Sequence, residues 1–171
     1  MIRGVIFDVD GVLLDSMPVW EEIGERYLKT QGKEAKPGLR DILFPMSLEQ
    51  AAVYLIREYG LSKRADQVVG EVNDMIRKFY AEEAGLKNGV RSYLEQFQKE
   101  QIPMAIATSS GRENVSAALG RLSVLECFQA LLTCSEVGSG KDRPKIYLEA
   151  ARQSAPGRRR RGYSRIPVMP F

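Results

Sequence analysis

The feature that most constrains this chain is a short apolar run, Val5-Ile6-Phe7, followed by two acids two positions apart and then by Gly11. A run that is apolar at successive positions is typical of a strand covered on both faces in a parallel sheet. Ile2 to Asp8 is therefore predicted to be a strand, with Asp8 and Asp10 at its carboxyl end. Because residues two apart in an extended chain point to the same side, both carboxylates are expected to face one crevice if the strand continues as far as Asp10. Gly11 allows the backbone to turn there and to approach a ligand closely.

Two acids in such a place have two interpretations. Together with a divalent cation they can process a phosphate group, one carboxylate as the nucleophile and the other as proton donor and acceptor. They can equally be turn-forming Asp residues of the Asx type that follow a strand. The bare pattern D-x-D-G leaves both interpretations open.

Apolar spacing predicts where the other helices and strands lie. Between residues 16 and 85 the spacing is helical, with breaks at 32–38 and 60–62. One series at helical spacing is Leu48, Ala51, Ala52, Leu55, Ile56 and Tyr59. Further on, segments 103–108 and 128–133 read as strands that alternate with helices, which favours an α/β fold whose ligands bind at the carboxyl ends of parallel strands. Three helices are predicted there. The first spans 89–99 and is expected to turn Val90, Tyr93, Leu94 and Phe97 inward. The second is opened by a capping box at Ser110 to Glu113, and the third begins at Ile146.

The residue composition excludes several kinds of site. The chain has no His, which excludes Ser–His and Cys–His nucleophile systems and most zinc sites. Cys127 and Cys134 lack the spacing of metal ligands and are predicted to be buried free thiols in a cytosolic protein. No apolar run approaches the roughly 18 residues of a membrane span, and Asp8 interrupts the apolar stretch at the N-terminus, so no signal peptide is predicted.

The basic residues are concentrated at the end of the chain. The net charge is +3 at pH 7, but residues 154–171 hold five Arg and no acid, which leaves 20 basic against 22 acidic residues elsewhere. This segment has neither helical nor strand periodicity and is predicted to be disordered. A nucleic-acid partner would depend on this tail alone, and none is expected because no basic face or aromatic stacking platform supports it.

Three motifs in order resemble those of one enzyme family. "FDVDGVLLDS" closely resembles the first motif of the haloacid dehalogenase-like (HAD) hydrolases, in the branch that contains phosphoglycolate phosphatase and beta-phosphoglucomutase. Thr108 within "AIATSS" resembles the second motif, and Lys141 within "GSGKDRPKIYLEAA" resembles the third. The helical insertion after the first motif resembles the cap domain of that branch. The likeness covers about residues 1–153.

The resemblance implies a role for each motif residue. Asp8 would attack phosphorus and become an aspartyl phosphate, and Asp10 would protonate the leaving oxygen and then activate water. Mg²⁺ would be held by the Asp8 carboxylate and the Asp10 backbone carbonyl. Lys141 would place a positive charge against Asp8 and the phosphoryl oxygens.

Phosphate binding would fall to Gly11, Thr108, Ser109 and Lys141. The two hydroxyl residues would offer donors to the phosphate, together with the N-terminus of the helix that follows them. Taken without the family motifs, Thr108 or Ser109 could be helix caps and Lys141 a solvated loop charge.

Two departures from the family pattern bear on function. Beta-phosphoglucomutases carry a His where this chain has Trp20, and the Arg of their cap is not evident in residues 44–49, so a simple phosphatase is expected. Trp20 could wall the substrate pocket, but packing of the cap against the core is the favoured expectation. Asp142, Arg143 and Lys145 replace the usual Pro, Ala and Asp of the third motif, which puts the geometry of that loop in question.

A third departure concerns the end of the chain. In the family a further strand follows "IYLEAA" and ends in an acidic pair that completes the Mg²⁺ site, whereas this chain has no acid after Glu149. A one-base shift in chosen codons for residues 162–170 reads Val-Phe-Glu-Asp-Ser, which resembles that motif. The expectation is therefore a frameshift near Ser154 that leaves the C-terminal part of the core missing. One side of the first strand would then lack its partner strand, and the metal site would lack its remaining carboxylate ligands.

The sequence thus predicts an α/β fold, a Rossmann-like parallel sheet with an α-helical cap inserted after the first strand. The core is assigned to residues 1–15 and 86–153, the cap to 16–85 and the tail to 154–171. The expected function is Mg²⁺-dependent hydrolysis of small phosphate monoesters in the cytoplasm. The alternative is a catalytically impaired remnant that at most binds phospho-ligands. The expected partner is a small phosphorylated metabolite, with no nucleic acid and no membrane, and a monomer is favoured.

Overall fold

The computed structural model describes residues 2–155 of the 171-residue chain. The tail predicted to be disordered, residues 154–171, lies outside the described residues except for its first two. The segment 162–170, on which the shifted-frame expectation depends, also lies outside them. Within the described part of the chain, every helix is too short or too polar to cross a membrane.

Most of the described chain is helix or strand. A π-helical turn at Phe79–Glu83 continues the fourth α-helix, and a 3-10 turn at Leu125–Cys127 precedes the third strand. The elements in chain order are β1 (Val5–Phe7), α1 (Met17–Thr30), α2 (Leu39–Leu43), α3 (Leu48–Tyr59), α4 (Ala65–Lys78), α5 (Val90–Lys99), β2 (Met104–Thr108), α6 (Arg112–Arg121), β3 (Ala130–Thr133), α7 (Cys134–Val137) and α8 (Lys145–Ser154).

The described strands form one parallel sheet in the order β1-β2-β3, which confirms the predicted α/β class. Phe7 pairs with Ile106, and Thr108 pairs with Thr133. The carboxyl ends of the strands therefore meet at one end of the sheet, where ligands bind in folds of this type. The predicted extent of the first strand is wrong, because β1 spans three residues rather than Ile2 to Asp8.

The sheet is the centre of a buried core. All residues of β2 and β3 are buried, as expected of strands covered on both faces. Helix α8 packs against one face through Ile146 and Ala150, which contact the small side chains of the two strands. The Phe7 ring of β1 makes edge contacts with Phe97 and Phe128, at centroid distances of 6.2 and 5.9 Å. Such aromatic pairs add to the stabilisation that comes from burial.

The described residues divide into two compact units. The α/β unit comprises residues 2–14 and 86–155, and the helical unit comprises Asp15–Gly85. In the helical unit, α3 spans the residues that the apolar spacing predicts. Its start is fixed by a capping box between Ser47 and Gln50, and its end by Gly60, which has a φ of 61°.

The structure corrects two predictions of burial in the α/β unit. Leu94 and Phe97 of α5 are buried as predicted, but Tyr93 is 59% exposed and Val90 is only half-buried. The buried face of α5 is therefore narrower than its apolar spacing predicts. Both cysteines are free, as predicted, but Cys134 is only half-buried, whereas Cys127 is buried.

Candidate active site

After β1 the chain turns back tightly instead of continuing as a strand. The Val9 carbonyl accepts the amide hydrogens of Val12, Leu13 and Leu14, at 3.2, 2.9 and 2.9 Å. Gly11 occupies the left-handed region with a φ of 72°, which a residue with a side chain rarely adopts. Strand β1 ends at Phe7, so Asp8 and Asp10 lie beyond it and the alternation of strand residues does not apply to them. That both carboxylates face one crevice stays a prediction.

Asp8 is paired with a lysine. Its Oδ1 forms an ion pair with Lys141 Nζ and also accepts the Val9 amide hydrogen at 2.7 Å. Among residues 2–155, no hydrogen bond reaches the other oxygen, Oδ2. The carboxylate is 38% exposed and the lysine side chain 25% exposed. The first and third sequence motifs thus meet, and one oxygen of the half-buried Asp8 carboxylate accepts no hydrogen bond from the described residues.

The segment after β2 contacts the other acid. Thr108 is fully buried, and its Oγ1 accepts the Ser110 amide hydrogen at 3.1 Å. The Ser110 hydroxyl donates to Asp10 Oδ2. Helix α6 begins at Arg112 with Gly111 as its N-cap and has no side-chain cap, so the predicted capping role of Ser110 is wrong.

Ser109 lies in a different environment from Thr108. Its side chain is exposed, and its Oγ lies 3.5 Å from Cys134 Sγ at the start of α7. Among the described residues, the structure gives Ser109 no hydrogen bond to Asp8, Asp10 or Lys141. Of the two predicted hydroxyl donors, only Thr108 is linked to a predicted catalytic residue, and that link passes through Ser110.

The loop that carries Lys141 is held by a neighbouring lysine. Lys145 Nζ donates to the Val137 carbonyl at 2.8 Å and so ties the start of α8 to the end of α7. The Asp142 and Arg143 side chains are 76% and 77% exposed. Their departure from the family pattern therefore changes the surface of the loop, while Lys141 still reaches Asp8.

An ion pair next to the site is not predicted from the sequence. Arg112, the first residue of α6, donates to both carboxylate oxygens of Glu136 and to the Leu131 carbonyl. Hydrogen bonding to Arg112 holds the pKa of Glu136 below its usual value. Glu136 also closes a capping box with Thr133 at the start of α7. The spacing T-x-x-E after a strand is the local signal that could have revealed this residue.

The described residues offer few ligands for a metal ion. Within residues 2–155, no three His, Cys, Asp or Glu side chains form a group that could hold one. The oxygens of Asp8 and Asp10 are hard donors, and Mg²⁺ is often held by one or two carboxylates together with water and substrate phosphate. These two residues therefore fit Mg²⁺ as a partial ligand set.

The helical unit contains a cavity of about 620 Å³. Its wall is mainly apolar and includes Trp20, which is 44% exposed, and Phe44, which is 81% exposed. A volume of this order is within the range of small-molecule sites. Trp20 thus lines an apolar cavity of the helical unit, and the expectation that it packs the cap against the core stays a prediction.

Comparison with known proteins identifies the family. The model of the haloacid dehalogenase-like hydrolases matches residues 5–159. The phosphorylated carbohydrates phosphatase of Thermotoga maritima is 26% identical over 147 residues, a match that covers 86% of this chain and 68% of that protein. The beta-phosphoglucomutase of Bacillus subtilis is 28% identical over 159 residues, which cover 88% of this chain and 69% of that protein.

The likeness extends to three dimensions. A crystal structure from Thermotoga maritima, assigned as a beta-phosphoglucomutase, matches with a TM-score of 0.80 and 26% identity, over 88% of this chain and 70% of that one. The match of the family model runs from β1 past α8 and includes all three motifs. By this match the chain belongs to the haloacid dehalogenase-like hydrolase family.

Proposed function

We propose that this chain is a phosphatase that hydrolyses small phosphate monoesters with Mg²⁺ through an aspartyl-phosphate intermediate. The observation that carries the proposal is the ion pair between Asp8 and Lys141 at the carboxyl end of the sheet. An anionic carboxylate can attack an anionic phosphoryl group only where positive charge reduces their repulsion. The name of the Thermotoga maritima relative, a phosphatase of phosphorylated carbohydrates, supports the same class of substrate.

In the first step, the Asp8 carboxylate is the nucleophile. It attacks phosphorus while the bond from phosphorus to the substrate oxygen breaks, and Asp10 donates a proton to that leaving oxygen. The products of this step are a neutral alcohol and phosphorylated Asp8.

In the second step, water releases the phosphate. Asp10, now a carboxylate, takes a proton from water while the water oxygen attacks the phosphorus of the aspartyl phosphate. The bond between phosphorus and Asp8 breaks, so inorganic phosphate leaves and both acids return to their starting states. One residue thus serves as acid and then as base.

Phosphoryl oxygens are assigned to groups at the ends of β1 and β2 and to Lys141, in the loop between α7 and α8. Lys141 supplies positive charge, and the Thr108 hydroxyl is assigned as a donor because its oxygen already accepts the Ser110 amide. Ser109 is exposed at the same end of the sheet, and Gly11 gives the turn its close approach to a ligand. All four contacts are proposed for a bound substrate.

Mg²⁺ would be held by the Asp8 carboxylate and the Asp10 backbone carbonyl. When bound, it would neutralise phosphoryl oxygens and so lower the barrier to nucleophilic attack. Asp8 Oδ2, which accepts no hydrogen bond from the described residues, is the oxygen suited to this ion. Lys141 and the Val9 amide meanwhile keep Oδ1 oriented.

We assign substrate choice to the helical unit, residues 15–85, as its cap. Its apolar cavity carries charged groups on its wall, among them Arg40, which bonds to Glu21 at 2.8 Å. Trp20 stands where mutases of this branch carry a His. Simple hydrolysis is therefore preferred over transfer of the phosphoryl group to a second sugar.

The alternative is a remnant that binds phospho-ligands without turnover. It is favoured by one observation, the lack of a third metal-binding acid near Asp8 and Asp10 within residues 2–155. Mg²⁺ affinity depends on such oxygens. The alternative predicts a soluble chain that binds inorganic phosphate or vanadate and shows no turnover.

Hydrolysis of p-nitrophenyl phosphate by the purified chain separates these functions. The expected result is turnover that requires Mg²⁺, is lost in EDTA and is lost in Asp8→Asn, which keeps the shape of the side chain and removes its charge. Turnover that survives in Asp8→Asn would contradict the aspartyl-phosphate route. Turnover in EDTA would contradict the metal dependence alone.

A further inference from the structure

Ser110 has a contact that its sequence context does not predict. The spacing from Ser110 to Glu113 is that of a capping box, in which the serine hydroxyl would bond to the helix backbone. In the structure the N-cap is Gly111, and no side chain caps α6. The Ser110 hydroxyl is turned instead to Asp10 Oδ2. The two residues are 100 positions apart in the chain.

The direction of this hydroxyl is set by the end of β2. Thr108 is the last residue of that strand and is fully buried, and its Oγ1 accepts the Ser110 amide hydrogen at 3.1 Å. A bond from a hydroxyl oxygen to the amide two residues ahead closes a small turn. The backbone of Ser110 is therefore fixed to a strand whose residues are all buried.

A second restraint follows Ser110 along the chain. Arg112 donates to Glu136 through two nitrogens and to the Leu131 carbonyl of β3. A bidentate pair between an arginine and a carboxylate has a defined geometry. Ser110 thus lies between two anchored residues, Thr108 before it and Arg112 after it.

Asp10 itself lies in a less regular segment. It follows the end of β1 and belongs to the turn around Gly11, in which the amide hydrogens of three residues share the Val9 carbonyl. A carboxylate that gives a proton to a leaving oxygen must be held within a few tenths of an ångström of its working position. The hydroxyl of Ser110, whose backbone amide is bonded to the last residue of β2, can provide that restraint.

We propose that Ser110 is a positioning residue that holds the Asp10 carboxylate in the orientation needed for proton transfer. Thr108 acts one step further away, since it fixes the Ser110 backbone. The inference rests on the proposed function, in which Asp10 is the proton donor and acceptor. Ser110 acts through Asp10 and does not bind the phosphoryl group.

Steady-state kinetics of the full chain with p-nitrophenyl phosphate and Mg²⁺ test this role. In Ser110→Ala, kcat is expected to fall about 10- to 100-fold, as for a misplaced general acid, while KM stays within about twofold. Ser110→Thr keeps the hydroxyl and is expected to retain most of kcat. Ser116→Ala, the same substitution on α6 at a half-buried position, is the matched control and should leave both constants unchanged.

Two kinetic results would overturn the inference. One is a wild-type kcat in Ser110→Ala, which would show that Asp10 needs no help from the hydroxyl. The other is a raised KM and a weaker inhibition by inorganic phosphate at unchanged kcat. That result would make Ser110 a phosphate ligand instead.

A second measurement separates this inference from the proposed function. Urea unfolding of the wild type, Ser110→Ala, Asp10→Ala and the double variant forms a cycle that needs no turnover. If the two side chains are hydrogen-bonded, the effects of the two single substitutions on the unfolding constant should not multiply. The effect of the double substitution is then expected to differ from the product of the single effects by about fivefold. Multiplicative constants would overturn the inference whether or not the chain is active. An inactive wild type with a non-multiplicative cycle would instead refute the proposed function and leave the contact established.

Discussion

Lys141 Nζ pairs with Asp8 Oδ1, the same oxygen that accepts the Val9 amide hydrogen. The two side chains are 25% and 38% exposed, so water still reaches both. An ion pair that is this accessible adds little to the stability of a fold. In the proposed function its value is chemical, because it places a positive charge against the proposed nucleophile and against the phosphate that Asp8 would attack.

Replacing Lys141 should therefore reduce activity much more than stability. We expect Lys141→Met to lower kcat/KM for p-nitrophenyl phosphate by about 100-fold or more, the usual cost of losing a charge that stabilises the transition state. The midpoint of urea unfolding should change little. Lys99→Met, at an exposed position of α5, removes the same charge away from the site and serves as the control. Wild-type kinetics in Lys141→Met would show that the lysine is a surface charge without a catalytic role.

Thr108 offers a test of the link between β2 and the segment after it. Thr108→Val keeps the shape of a fully buried side chain but removes the oxygen that accepts the Ser110 amide hydrogen. We expect kcat/KM to fall about 10-fold or more and the free energy of unfolding to fall by about 1 kcal/mol, because a partly buried amide loses its acceptor.

The matched variant is Thr108→Ser, which retains the hydroxyl and loses one methyl group. It should keep most of the activity and lose stability through the small cavity that it leaves, about 1 kcal/mol. Equal kinetic losses in the Val and Ser variants would show that packing rather than the hydroxyl matters. The kinetics and the urea unfolding of both variants can be measured on the same preparations.

The sequence predicts the elements that depend on local signals. Helix α3 lies where apolar spacing and Gly60 place it, and β2 lies within the apolar segment 103–108, because the strand's residues are all buried. The turn after β1 is not predicted, since it depends on three amides that share the Val9 carbonyl. The partner of Ser110 is not predicted either. Asp10 is 100 positions away, and apolar periodicity indicates local helices and strands but not contacts between distant polar residues.

The helical unit has a part-buried hydrogen bond whose loss should lower stability. The fully buried Tyr27 donates its hydroxyl hydrogen to Glu71 at 2.7 Å, and Glu71 is also ion-paired with Lys63. Burial, with the bond to Glu71, raises the pKa of Tyr27, so its hydroxyl stays protonated near neutral pH. The Tyr27 hydroxyl therefore remains a donor to the carboxylate of Glu71.

Tyr27→Phe should lower the free energy of unfolding by about 1 kcal/mol, the usual contribution of one hydrogen bond. The lost bond leaves the carboxylate of Glu71 with Lys63 as its partner. Tyr54→Phe in α3 is the control, because no hydrogen bond of the Tyr54 hydroxyl is found among residues 2–155. Urea unfolding followed by far-ultraviolet circular dichroism measures both. Equal midpoints for the two variants would show that the Tyr27 bond contributes nothing.

The pair of Glu136 and Arg112 predicts how stability depends on pH. Hydrogen bonding to Arg112, followed in importance by bonds from Thr133, lowers the pKa of Glu136 from its usual value of 4.5. A carboxyl whose pKa is lower in the folded state binds fewer protons there than in the unfolded state. Its stabilising effect is therefore complete above pH 4.5 and is lost as the pH falls through the lowered pKa.

Glu136→Gln should accordingly have a lower Tm than the wild type at pH 7, and the difference should close as the pH is lowered towards 3. The gap is expected to be modest, since the Glu136 side chain is 42% exposed and water screens the pair. Glu113→Gln, at an exposed position of α6, removes the same charge outside this pair and serves as the control. Thermal unfolding of the three proteins at several pH values between 3 and 7 checks the prediction. A gap that stays constant with pH would mean that the effect of Glu136 on stability comes from the shape of its side chain and not from its charge.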